Sequence, residues 1–195
     1  MAAMRGGCFS SIPPYFFHHA GPCIVAGSAF CLHDDLAAAR ARFGADIPVI
    51  AVNAAAKEVR ALALFSLHPD RLESFGWIRK QRVLFGDDAT VHSTVRRKNM
   101  PWIDFWWKGA HGCGGSAWCA RKMATFMGFS PIILCGCPME PGPYVGNHCM
   151  GGYMDRPRVV DDLFDGIAKD KDWHDGCYSM SGRTMALLGG VSGIE

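Results

Sequence analysis

Residues 111–138 read HGCGGSAWCARKMATFMGFSPIILCGCP. Three glycines, Gly112, Gly114 and Gly115, lead into a segment of helical composition, Ser116 to Met127, which Gly128 stops. An unbroken apolar run follows from Pro131 to Cys135 and ends at Gly136. The order loop, helix, apolar strand limits the fold more than any other stretch. A short, continuously apolar run bounded by glycine suits a strand buried on both faces, and such strands belong to parallel sheets. A glycine-rich turn entering a helix also brings unpaired N–H groups and the positive end of the helix dipole to one point, which favours an anion. A loop that needs positive φ angles for its own turn explains the same glycines.

The same kind of run recurs upstream. Cys23-Ile-Val-Ala-Gly27 is a short apolar strand with a tight turn behind it. Asp34 or Asp35 then caps a helix over Asp35 to Phe43, closed by Gly44. Ile47 to Val52 is a second buried strand, stopping at Asn53, and residues 54–59 make a helical turn. Leu62 to Leu67 is a third strand. After it, His68-Pro-Asp70 opens a helix with Pro69 in its first turn, continuing through Leu72, Phe75, Ile78 and Arg79. A fourth strand is expected at Gln81–Phe85 or Thr90–Thr94, then an aromatic-rich loop over 96–110. Residues 138–158 form a long loop rich in proline and glycine, of a length that is usually functional or mobile. Short helices are expected at Val159–Ile167 and Met180–Leu188.

Alternating strands and helices imply an α/β fold, Rossmann-like, with a mostly parallel sheet and right-handed crossovers. Residues 1–21 read as an extension, with Tyr15, Phe16 and Phe17 packing on the body, and residues 22–195 as one domain. The 195-residue length and a hydrophobic share of 49% with 19% charged residues supply a core and argue against disorder. A net charge of +2 gives no reason to expect nucleic acid as a partner, and Arg96-Arg97-Lys98 reads as a solvated loop. No apolar run approaches the ~20 residues of a membrane span. The nine cysteines lack paired C-x-x-C spacing, so a structural zinc site is not indicated, and reduced thiols in a cytoplasm are the simplest reading. A homodimer fits a domain of this size.

In open parallel sheets, ligands sit beyond the carboxyl ends of the strands, near the point where strand order reverses. The residues just after the strands are therefore the site candidates: Gly27 and Ser28, Asn53, His68 to Asp70, the loop before Ser116, and Gly136 to Met139. Gly114, Gly115 and Ser116 make the anion cradle, with Ser116 either a phosphate donor or the helix N-cap. Asn53 can bond a base, ribose or phosphate, or form an Asx turn. His68 and Asp70 can act as an acid–base pair or Mg²⁺ ligands, or as ordinary strand and helix ends. Ser181 and Arg183 at the last helix suit a phosphate or a plain cap. His148 and His174 lie where they can swing over a site. The G-x-G-x-x-G, G-x-x-x-x-G-K-[ST] and G-x-S-x-G patterns are absent, which argues against a nicotinamide or flavin cofactor, a P-loop NTPase and an α/β-hydrolase.

Val25-Ala-Gly27-Ser28-Ala29-Phe30-Cys31-Leu32 resembles the V-x-G-N-G-P-S-L strand-turn of the bacterial sialyltransferases of glycosyltransferase family 42. The related 6-hydroxymethylpterin pyrophosphokinase-like proteins share that turn. Asn53 falls where the group has an asparagine after its second strand. Gly115-Ser116, Met127-Gly128-Phe129 and Ile132-Ile-Leu-Cys-Gly136 resemble its later segments. Leu67-His-Pro-Asp70, Gly136-Cys-Pro-Met139 and Ser179-Met-Ser-Gly-Arg-Thr-Met-Ala-Leu-Leu-Gly189 are similar to shorter relatives associated with bacteriophage genomes. Ser28, Ala29, Phe30 and Cys31 depart from the asparagine, glycine, proline and serine of the first turn. The resemblance implies a nucleotide or nucleotide-sugar ligand and transfer of a glycosyl or pyrophosphoryl group, with His148 or His174 in the place of the family's lid histidine. Where a metal is needed, Asp70 is the expected Mg²⁺ ligand. Two other functions suit the same residues. One is a binding protein that sequesters a nucleotide-derived compound, because the acid–base set is sparse. The other is an assembly protein using Trp102, Trp106 and Trp107 as a partner surface; the same tryptophans can equally form a stacking wall for a base or sugar or fill the core, and core packing is the foremost reading for at least one.

Overall fold

The computed structural model describes residues 3–5, 19–86, 89–95, 99–147 and 151–194, the first of these segments by its backbone alone. The strands are β1 (Ala3–Arg5), β2 (Cys23–Ala26), β3 (Val49–Val52), β4 (Ala63–Phe65), β5 (Thr90–Ser93), β6 (Phe105–Trp107), β7 (Ile132–Cys135) and β8 (Cys177–Ser179). They form one sheet in the order β1-β6-β5-β4-β3-β2-β7-β8. Every pair from β6 across to β8 is parallel, and β1 alone runs antiparallel, beside β6. The expected α/β architecture with a mostly parallel sheet is the one observed.

The helices are α1 (Leu32–Phe43), α2 (Pro69–Ser74), α3 (Trp77–Phe85), α4 (Gly115–Phe126), α5 (Pro157–Lys169) and α6 (Gly182–Leu188). Alternate strand residues divide between two cores. Val25, Ile50, Val52, Phe65 and Leu134 pack with α4, α5 and Phe129. Ile24, Ala26, Ala51, Leu64 and Ile133 pack with α1, α2 and α3. Both faces of the sheet are covered, which is why its strands are apolar without alternation.

The chain winds outward from β2 through β3, β4 and β5 to β6, with α1, α2 and α3 on one face. Helix α4 then carries it back across the other face to β7, on the far side of β2. Trp118, wholly buried, anchors that return. The order reverses between β2 and β7.

Several expected elements differ. The helix after His68 is two helices, broken at Phe75–Gly76, where Gly76 adopts φ +66°. Of the two candidates for the fourth strand, Thr90–Ser93 is the strand and Gln81–Phe85 belongs to α3. The aromatic loop contains β6, and of the readings open for its tryptophans, core packing is the one observed for Trp106 and Trp107, which are buried. Trp102 is half-buried and its Nε1–H donates to the Pro69 carbonyl at 3.3 Å. The short strand β8 was not expected. The aromatic cluster of the N-terminal extension and Arg96-Arg97-Lys98 lie outside the described residues.

Candidate functional site

Where the strand order reverses, the turn after β2 and the turn after β7 touch. The Gly27 N–H donates to the Cys135 carbonyl at 2.8 Å, and the Ala29 N–H to the Gly136 carbonyl at 3.1 Å. A Cβ on Gly27 would lie 2.4 Å from the Gly136 carbonyl oxygen and 2.5 Å from Cys137 Sγ. A Cβ on Gly136 would lie 2.8 Å from the Gly27 carbonyl oxygen. These two glycines are therefore required first by the passage of one chain segment over another. Asp35 fixes the arrangement. It lies in the first turn of α1, buried and not at the cap, and its Oδ2 accepts from the Gly136 N–H and from Ser181 Oγ, both at 2.8 Å.

Above this crossing lies a cavity of about 430 Å³, at the carboxyl ends of β2, β3, β4 and β7. One wall is the start of α4. Gly114 and Gly115 hold φ angles of +82° and +77°, in the left-handed region that glycine enters at little cost. They also sit under α5: Cβ atoms there would meet Ile167 Cγ1 at 2.7 Å and Leu163 Cδ2 at 3.2 Å. Gly114, rather than Ser116, occupies the N-cap position. Ser116 Oγ accepts the Leu67 N–H at 3.3 Å, so its own proton remains to be donated. The N–H groups of a helix's first turn have no partner within the helix, and here they belong to Gly115, Ser116 and Ala117, which line the cavity. The glycine turn and helix start singled out in the sequence thus open onto a cavity.

The second wall holds Asn53 and His68. The His68 N–H donates to Ser66 Oγ at 2.9 Å, and Ser66 Oγ donates to Asn53 Oδ1 at 2.7 Å. This relay fixes the Asn53 carboxamide with its oxygen occupied, leaving the NH₂ group as the donor for a ligand. Asn53 has φ +52° and Met139, also in the lining, φ +53°. Backbone strain of this kind concentrates at binding sites.

The third wall is a strap over residues 139–147. The Val145 N–H donates to the Ser28 carbonyl at 2.7 Å, and Ala29 and Tyr144 form an antiparallel bridge. The strap brings Tyr144 to the cavity, joined there by Trp77 and Tyr153. The Tyr144 hydroxyl donates to the Glu140 carbonyl at 3.1 Å, and burial pushes its pKa up, so it stays protonated. Burial likewise raises the Cys137 thiol, which is inert as a nucleophile. Among the described lining residues there is no lysine or arginine; Asp162 is the one carboxylate and His68 the one imidazole.

Of the residues singled out in the sequence, Gly27, Ser28, Asn53, His68, Gly114, Gly115 and Ser116 come together around this cavity. Four others do not. Asp70 lies in the first turn of α2, outside the lining. His174 follows α5, where its Nε2 pairs with the Ile167 carbonyl at 2.8 Å and its ring meets the Trp118 ring edge-on. Ser181 is committed to Asp35. Arg183 pairs with Asp161 at 2.5 Å and covers the Phe164 ring at 4.0 Å, holding α6 to α5. His148 lies outside the described residues. Among the described residues no three His, Cys, Asp or Glu side chains gather as metal ligands. Trp77, Tyr144 and Tyr153 escaped the sequence reading. For Tyr144 and Tyr153 the signal was the long proline–glycine loop itself, whose inward side is set by the Val145–Ser28 bond; Trp77 opens α3 and carried no such signal. The chain matches no protein-family model, no curated protein and no solved structure.

Proposed function

We propose that the protein is a transferase that takes a nucleotide-activated donor, of the glycosyltransferase type, at the carboxyl ends of its strands. The observation that supports this reading is the convergence of three separated segments, Gly27-Ser28, Asn53 and Gly114-Gly115-Ser116, on one cavity. The α4 N-terminus favours a phosphate through its N–H groups and dipole. Trp77, Tyr144 and Tyr153 offer aromatic surface to a base or sugar ring. Asn53 supplies two N–H donors for a ribose or base carbonyl. In the transfer, an acceptor hydroxyl oxygen bonds to the activated carbon while the bond from that carbon to the phosphate oxygen breaks. The electron pair leaves with the nucleotide, whose charge the α4 N-terminus stabilises, and the hydroxyl proton goes to the His68 imidazole.

A thermal-shift panel of CMP-, UDP-, GDP- and ADP-linked sugars tests the binding step. A ligand present at a hundred times its Kd raises stability by about 2.7 kcal/mol, or about 5–10 °C in Tm for a chain this long. Silence across the panel overturns the reading. A second reading is favoured by the sparseness of acid–base groups in the described lining: the protein sequesters the nucleotide compound without turning it over. Mass spectrometry of the ligand that binds, after long incubation with candidate acceptors, separates the two.

A further inference from the structure

At the amino ends of the strands, opposite the cavity, the approaches to β3 and β4 and the last turns of α1 enclose a second pocket of about 310 Å³. Its charged lining is Arg40, Arg60 and Asp46, and Ile47, Pro48 and Leu62 form apolar walls. The neighbouring arginine on α1, Arg42, donates to the Ile194 carbonyl. Neither the Arg40 nor the Arg60 side chain has a hydrogen-bond or ion-pair partner among the described residues, and Arg40 Nε is buried without an acceptor. A buried guanidinium N–H lacking an acceptor is unfavourable, and native structures rarely keep one without a ligand, ion or water to meet it. Asp46 pairs with neither arginine, so the pocket carries net positive charge.

We propose that this pocket is a binding site for a phosphate group, separate from the strand-end cavity. Two guanidinium forks on one pocket match the oxygens of a tetrahedral oxyanion. The apolar walls lower the local dielectric and strengthen that attraction relative to open solvent. Arg60 is exposed and Arg40, on α1, half-buried, and both line the pocket. The site does not depend on the transferase reading, since it shares no residue with the cavity.

Amide NMR titration with inorganic phosphate at constant ionic strength tests it. The expected result is saturable shifts at Val49, Ala61 and Leu62, with affinity falling at least tenfold in Arg60→Gln. That variant removes an exposed side chain and leaves the core alone. Arg40→Lys keeps the charge but loses the fork, and is expected to bind more weakly than wild type. Shifts that do not saturate, shifts confined to residues 112–117, or an Arg60→Gln protein that binds as wild type does would each overturn the proposal.

Discussion

Asn53 shows how much one side chain can decide. Its Oδ1 is engaged by Ser66, and its NH₂ group is the part left for a ligand. Asn53→Asp preserves shape and the bond from Ser66, but replaces two donors with a negative charge. Binding of an anionic nucleotide compound is expected to fall by more than tenfold, roughly the 1.5–3 kcal/mol of a hydrogen bond to a charged group, read by calorimetry. The melting temperature should change little, because Asp tolerates the left-handed backbone nearly as well as Asn. His92 decides something else. It is wholly buried, accepts the Trp107 Nε1–H at Nδ1 (2.8 Å), sits 2.6 Å from Thr90 Oγ1 at Nε2, and stacks on Phe105. Desolvation holds its pKa down at about 3. The unfolded chain protonates this residue near pH 6.5, while the folded one stays neutral. As pH falls from about 6.5 toward 3, the unfolded state binds the extra proton and stability drops by about 1.4 kcal/mol per unit. Urea unfolding at pH 7, 6 and 5 should show this slope in the wild type. His92→Gln should be less steep by that amount.

At the scale of elements, legibility follows the length and purity of the apolar runs. The segments CIVA, VIAV, ALF and IILC declared themselves because burial on both faces leaves no room for polar residues. Strand β6 did not. Phe105-Trp106-Trp107 is three residues long, too short to establish a period, and aromatics also occupy loops. The break between α2 and α3 was hidden because Leu72, Ile78 and the intervening aromatic continue a helical spacing, while the left-handed Gly76 between them is a tertiary choice. The glycine turn before α4 was legible because its glycines announce a backbone requirement, and the structure supplies the reason in α5 lying against Gly114 and Gly115. The role of Asp35 was not legible. An acid in the first turn of a helix is sufficiently explained by the dipole, and nothing local reveals that a turn 101 residues away will donate to it. Ser181 and Arg183 lie apart from the cavity for a related reason: their polar atoms hold α6 and the β7 turn to the body.

At the scale of the whole molecule, the winding of the chain explains why the site residues are scattered in sequence and adjacent in space. Helix α1 leaves β2 toward one face, and the chain after β7 leads to α5 on the other. Their turns part only after crossing at Gly27 and Gly136, and the strap from β7 then returns over the opening to bond Ser28. A ligand in the cavity must therefore touch three segments at once: the turn after β2, the α4 cradle and the strap. Each of these is a loop or helix end, where local opening is easiest and where binding suppresses it most. Hydrogen exchange with the nucleotide compound that gives the largest thermal shift should slow together at residues 27–29, 112–117 and 144–147. Amides in α6 and near His174 should exchange as before, since the structure commits Ser181, Arg183 and His174 to internal contacts. Protection confined to α6 and its flanks would move the binding site to the sheet edge at β8, and would remove the strand-reversal cleft from any account of what this protein binds.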